Sequence, residues 1–189
     1  MAIGSCKLLE IAMFLFGPKE ETCVRIPLNV KGRLYCSPMP FGPYDPGNAL
    51  LKIYKKNKIG FVVMLVTDVE LEKKAKKNVI EIYKQNHIEA IRFPIADYTS
   101  PELYAFSKVV DQVAGYLRAG ANVAVHCNAG VGRTGVMTCC IVRDILKISA
   151  DEAIAYVKQH MQTNMTDEQM RLTNRFQPLA ERLAQEQTK

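Results

Sequence analysis

The sequence predicts a single α/β domain built on a central, mainly parallel sheet of four or five strands flanked by helices. Three observations predict it. Short apolar runs alternate with segments of helical periodicity, helix-start signals follow the strands, and a glycine-rich loop joins one such strand to one such helix. With 189 residues, 48% of them hydrophobic, the chain can bury one substantial core but is short for two independent domains.

The first thirty residues are broken by Gly17-Pro18 and Pro27 and read as an irregular arm, ahead of a domain over 31–185. A strand is expected at Arg33–Cys36, then a Pro- and Gly-rich loop over Pro38–Gly47 and a helix to about Asn57. The run Phe61–Val66 suits a buried strand. Thr67 and Glu70 form a capping box, and Leu71, Ala75, Val79 and Ile82 or Tyr83 continue at helical spacing, so one helix is expected to about residue 86. After a short strand, Ala90–Phe93, Ser100-Pro101 reads as an N-cap with proline at the first helical position. That helix should turn Leu103, Phe106, Val110, Val113 and Leu117 inward. Asn122–His126 is a compact strand, and a helix runs from near Arg133 to about Leu146. Ser149 with Glu152 and Thr166 with Gln169 start the last two helices expected.

A net charge of +6 favours anionic partners. Lys52, Lys55, Lys56 and Lys58, and then Lys73, Lys74, Lys76 and Lys77, fit solvated helix faces, and no interleaved aromatics mark a nucleic-acid stacking platform. Six cysteines lack zinc spacing or a small secreted framework, so a reducing, cytosolic setting is expected. The apolar stretch Leu8–Phe16 is interrupted by Glu10 and is too short to span a bilayer.

The chemistry lies in His126-Cys127-Asn128-Ala129-Gly130-Val131-Gly132-Arg133-Thr134-Gly135. Where a parallel strand gives way to a helix, free backbone N–H groups converge at the positive end of the helix dipole. Asn128, Ala129, Gly130, Val131 and Gly132 would form this anion cradle, and the two glycines allow it to curl. Such a field favours thiolate over thiol at Cys127. Arg133 can fold back and hold two phosphoryl oxygens in its planar fork.

These residues resemble the signature of the protein tyrosine phosphatase superfamily, His-Cys-x5-Arg-Ser/Thr, and most nearly its dual-specificity branch. Phe93-Pro94-Ile95-Ala96-Asp97 is similar to the kinase-associated phosphatase group, and the likeness covers roughly residues 33–176. The resemblance implies a cysteine phosphatase fold, hydrolysis through a phosphocysteine, and no metal or cofactor. Attack by a thiolate also requires a general acid. Asp97 lies on a loop after a strand and could reach the same end of the sheet, and the family likeness points to it as well. Asp68 and Glu70 are the nearest rivals, with capping sufficient to explain Glu70, while Asp111 and Asp144 fall within helices.

By the same resemblance Thr134 would hydrogen-bond Cys127 as it leaves, and Gln169 would help to place the hydrolytic water, though capping also explains Gln169. His126 should point away from substrate and orient the loop. His160-Met161 departs from an Arg-Pro pair common among relatives. Phosphotyrosine and phosphoserine or phosphothreonine in proteins are the first expected substrates and phosphoinositides the second, since Asn128, Ala129 and Val131 bring no lysine into the loop. RNA 5′-triphosphate hydrolysis and a non-catalytic phosphate-binding scaffold are the remaining alternatives. Cys36, Cys139 and Cys140 are candidates either for ordinary burial or for a redox partner to Cys127.

Overall fold

Alternation along the strands decides the architecture. Leu34, Cys36, Val63, Val123 and Val125 fall in one buried cluster, and Tyr35, Val62, Met64 and Ala124 fall in another. A sheet apolar on both faces must be covered on both, as parallel sheets are. The computed structural model describes residues 22–187 except Lys76, and the whole chemistry-bearing segment lies within them.

Among the described residues five strands stand in the order β1 (Val24–Ile26), β2 (Leu34–Ser37), β5 (Asn122–His126), β3 (Ile59–Met64) and β4 (Glu89–Arg92). Only the β1–β2 pair is antiparallel. Tyr35 and Val62 both face Ala124, which places β5 at the centre with its C-terminal end between those of β2 and β3. One face is covered by α4 (Leu103–Ala119), α5 (Arg133–Leu146), α6 (Ala150–His160) and α7 (Asp167–Arg175), the other by α1 (Leu50–Lys56) and α3 (Val79–Gln85). Twelve of the fourteen residues of α5 are buried, which makes it the central helix of the first face. Asp144, fully buried on α5, pairs with Arg118 and accepts from the N–H of Leu179 at 3.0 Å, tying down α8 (Leu179–Gln187).

β5 and α5 have the bounds expected from the sequence, and the capping boxes at Thr67, Ser149 and Thr166 all form. Other expectations need correction. The predicted single helix after Thr67 is two, α2 (Asp68–Lys74) and α3. The Asn78 side chain accepts from the N–H of Glu81 and starts a new helix. An unbroken helix would also stack Lys73 over Lys76 and Lys77, a repulsive spacing. α4 starts at Leu103, because both oxygens of Glu102 accept backbone N–H groups, from Tyr104 and Ala105, each at 2.7 Å. A carboxylate at the positive end of a helix outcompetes the Ser100 hydroxyl there. The expected irregular arm contains β1 from Val24, while residues 1–21 lie outside the described residues. The helix α8 had no start signal in the sequence and was not among those expected.

Gly32 joins the β1–β2 hairpin to the end of α4. Its N–H donates to Leu117 O at 2.9 Å, and a Cβ there would lie 2.1 Å from Ala121 O. Gly32→Ala should therefore lower the unfolding free energy by about 2–4 kcal/mol, whereas Gly60→Ala, with open space at its Cβ, should change it by less than about 0.5 kcal/mol; urea denaturation of the two variants measures the contrast.

Candidate active site

The four parallel strands bring the segments that follow them to one end of the sheet, and the one after β5 is the loop 127–132. Gly132 stands at the N-cap of α5, which has no side-chain cap and no acidic residue in its first turn. The free N–H groups there are available to an anion. Gly130 has φ +80°, and a Cβ on it would lie 2.7 Å from the backbone of Ser37 and Pro38, so both conformation and space demand glycine. The N–H of Met39 donates to Asn128 O at 3.1 Å, fixing the loop to the segment after β2.

Cys127 is 3% exposed, and its Sγ accepts from the N–H of Gly130 at 3.3 Å. His126 points to the opposite face of the sheet. Its Nδ1 lies 3.3 Å from Cys127 O and its Nε2 lies 3.2 Å from the Tyr83 hydroxyl. Since a carbonyl only accepts, Nδ1 carries the proton and Nε2 accepts from Tyr83. Burial lowers the His126 pKa to about 4, against the hydrogen bond to Cys127 O, so the ring is neutral at pH 7.

Arg133 is 2% exposed and held from several sides. Nη1 donates to Glu70 Oε2 (2.7 Å), Ile95 O (2.8 Å) and Leu65 O (3.4 Å), while Nη2 donates to Glu70 Oε1 (2.8 Å). Glu70 thus takes the end-on fork of the guanidinium. Asp97 Oδ1 lies 3.2 Å from Nη2, and Nε has no partner among the described residues. Burial raises the Glu70 carboxyl, but the hydrogen bonds from Arg133 and the Thr67 N–H and the nearby charges of Arg133 and Lys74 win, lowering it to about 2. Glu70 therefore does more than cap α2, the role that sequence reasoning found sufficient for it.

A pocket of about 90 Å³ opens over this arrangement, walled by Cys127, Asn128, Ala129, Val131, Gly132 and Arg133 together with Asp97 and Gln169. Of the carboxylates weighed as general acid, Asp97 alone lines it. Asp68 pairs with Arg92, Asp111 with Arg182, and Asp144 with Arg118. Gln169 completes the cap of α7 and also donates from Nε2 to Thr99 O at 3.0 Å, tying that helix to the Asp97 loop.

The Thr134 hydroxyl is buried and has no hydrogen-bond partner among the described residues. Asn128 Oδ1 is likewise unpartnered. Cys36, Cys139 and Cys140 are free and buried, and burial raises all three thiols, Cys36 and Cys139 to about 12. Tyr44, Tyr98 and Asn164 also line the pocket and were not anticipated. None has a periodic or motif signal, though Tyr44 and Tyr98 do sit on loops that leave strands at the reactive end of the sheet.

Among the described residues no cluster of His, Cys, Asp or Glu suits a metal ion, and no helix is long and apolar enough to cross a membrane. Residues 46–177 match the family model described as "Dual specificity phosphatase, catalytic domain". The protein tyrosine phosphatase domain-containing protein 1 of Danio rerio is 33% identical over 78 residues, 41% of this chain and 11% of that protein, so the chain spans only about a tenth of that relative. A crystal structure of kinase associated phosphatase superposes with TM-score 0.73 at 18% identity, covering 86% of this chain and 95% of the other. One of PTPMT1 in complex with PI(5)P gives 0.71 at 18%, covering 88% and 99%.

Buried His126 and partly buried Glu70 set the acid limb of stability. Between pH 6.5 and about 4 the unfolded chain binds a proton at His126 that the folded chain refuses, so stability falls as pH drops, by up to about 3 kcal/mol. Glu70 adds a second loss in the same direction, below 4.5 and toward about 2. Urea unfolding as a function of pH should show both limbs, and His126→Gln should remove the upper one. The family model matches more than half of the chain, which therefore belongs to the dual-specificity phosphatase catalytic-domain family, the dual-specificity branch of the protein tyrosine phosphatase superfamily.

Proposed function

We propose that the chain hydrolyses phosphomonoesters on phosphorylated proteins, with Cys127 as nucleophile, Arg133 as phosphate clamp and Asp97 as general acid and base. The observation that carries the proposal is a buried thiol beneath an uncapped helix N-terminus, facing an arginine whose Nε is unpartnered and whose Nη2 touches Asp97. The N–H groups of 128–133 and the free edge of Arg133 would hold the phosphoryl oxygens. Cys127 attacks phosphorus as the bond to the ester oxygen breaks, and protonated Asp97 gives that oxygen its proton. Water then attacks the phosphocysteine, Asp97 takes a proton from it, and the thiolate leaves. Thr134, whose hydroxyl has no partner among the described residues, donates to sulfur in this second step. His126, neutral and turned away, holds the loop, and Glu70 holds the arginine.

Phosphoprotein ranks ahead of phosphoinositide because Arg133 is the one cation among the described residues lining the pocket, and none of the others offers a second phosphate a positive charge. Lipid remains the second reading because of the likeness to a fold solved with PI(5)P. The same single cation counts against an RNA triphosphate.

Cys127→Ser should abolish release of phosphate from an aryl phosphate, and persistent activity would remove Cys127 from the mechanism. Asp97→Asn should lower kcat by about 10²–10⁴-fold with the fold intact. Glu70→Gln should raise KM and lower kcat together, to about 10²-fold in kcat/KM, by loosening the clamp. Comparing phosphate release from phosphopeptides and from dispersed phosphoinositides ranks the substrates, and a large preference for inositides would reverse the order given.

A further inference from the structure

Ser100-Pro101 has no task in the fold. Glu102 caps α4 in its place, and the Ser100 hydroxyl has no hydrogen-bond partner among the described residues. The serine is half-buried at the end of the loop that carries Asp97, just after the exposed residues 96–99. It shares a groove of about 340 Å³ with Arg171 and Arg175 of α7. Four positions apart, these two arginines lie on one face of that helix. Both are exposed, and neither guanidinium has an ion pair or hydrogen bond to another described residue. Other arginines nearby are taken, Arg182 by Asp111 and Arg143 by the carbonyls of Thr173 and Phe176.

The carboxylates of the groove are answered elsewhere. Glu102 accepts the N–H groups of Tyr104 and Ala105, and Glu168 stands in the first turn of α7, so each sits at the positive end of a helix. What remains is a free hydroxyl and two unanswered positive charges along one groove. That groove adjoins the catalytic pocket. Asp97 and Gln169 line the pocket, Ser100 and Glu168 line the groove, and the hydrogen bond from Gln169 Nε2 to Thr99 O stands between the two.

We propose that Ser100, followed by Pro101, is a phosphorylation site for a proline-directed protein kinase, and that Arg171 and Arg175 receive its phosphate. The kinase transfers the terminal phosphoryl group of ATP to Ser100 Oγ, the hydroxyl proton is released, and ADP leaves. Three acceptor oxygens and a charge approaching that of a dianion suit two guanidinia with free donors, and pairs of this kind order a loop. The phosphate adds a second tie between the Asp97 loop and α7, beside the one from Gln169, and so holds the Asp97 carboxylate over the pocket. That effect on Asp97 rests on the phosphatase reading above; the modification and its receiver do not.

The full chain carrying Cys127→Ser, which cannot strip the group by its own turnover, is incubated with a proline-directed kinase and magnesium ATP, and mass spectrometry locates the phosphate. It is expected on Ser100, and a chain left unmodified there overturns the site. Thermal unfolding reads the receiver. Phosphorylation should raise Tm by roughly 2–4 °C, and the rise should vanish when Arg171→Gln and Arg175→Gln are combined. No rise, or one that survives the loss of both arginines, overturns the receiver. Wild type with phosphoserine placed at 100 by chemical ligation reads the coupling. Its kcat for an alkyl phosphate, whose leaving oxygen depends on a proton from Asp97, should rise by about 2–10-fold, and an unchanged or lower kcat overturns the coupling. Failure of the phosphatase reading looks different: wild type then releases no phosphate with or without the modification, while mass and Tm still decide the site and its receiver.

Discussion

A guanidinium almost wholly removed from water governs the reactive end of this molecule. An unpaired buried cation is strongly unfavourable, and breaking a buried pair costs several kcal/mol. Arg133 must therefore be answered by a carboxylate, and Glu70 answers it through two parallel hydrogen bonds. The same guanidinium donates to carbonyls just past β3 and past β4, at Leu65 and Ile95. One side chain from the first turn of α5 thereby joins the ends of two strands and the start of α2. Because Glu70 is also the third residue of a capping box, the start of α2 is set by the charge it must neutralise as well as by the helix it begins.

Around this centre the two faces of the sheet divide the work. Consecutive residues on β5 and just after it point to opposite sides, so His126 enters the Tyr83 side and Cys127 the side of α5. The neutral imidazole braces the loop from behind through the Cys127 carbonyl, and the thiol accepts the Gly130 N–H from the front. The flanking loops, after β2 and β4, then bring what β5 cannot supply: walls on either side and a carboxylate within reach of the arginine.

The central strand, its helix and the loop between them were legible because they combine a compact apolar run, glycines and a long buried helix in one contiguous stretch. The Asp97 loop was legible through its place after a strand. The partition of residues 67–86 was not, since Val79 and Tyr83 keep the helical period while Asn78 restarts the backbone hydrogen bonding. Side-chain choice among competing partners was also hidden. Glu102 displaced Ser100 as a cap because a carboxylate reaches two N–H groups at once, and the tie between Glu70 and Arg133 spans 63 positions, which periodicity cannot register. Tyr44 and Tyr98 carried no pattern at all and emerged only from the order of the strands.

Gly130 fits against the backbone of Ser37 and Pro38 with no room for a methyl group, and Asn128 shares a hydrogen bond with Met39. The anion cradle is thus stitched to the edge hairpin as well as to its own strand. A sheet edge can open locally at a free energy well below that of global unfolding. Loosening at the β1 edge would reach the cradle through β2, so the shape of the anion site depends on the outer hairpin as well as on β5 and α5.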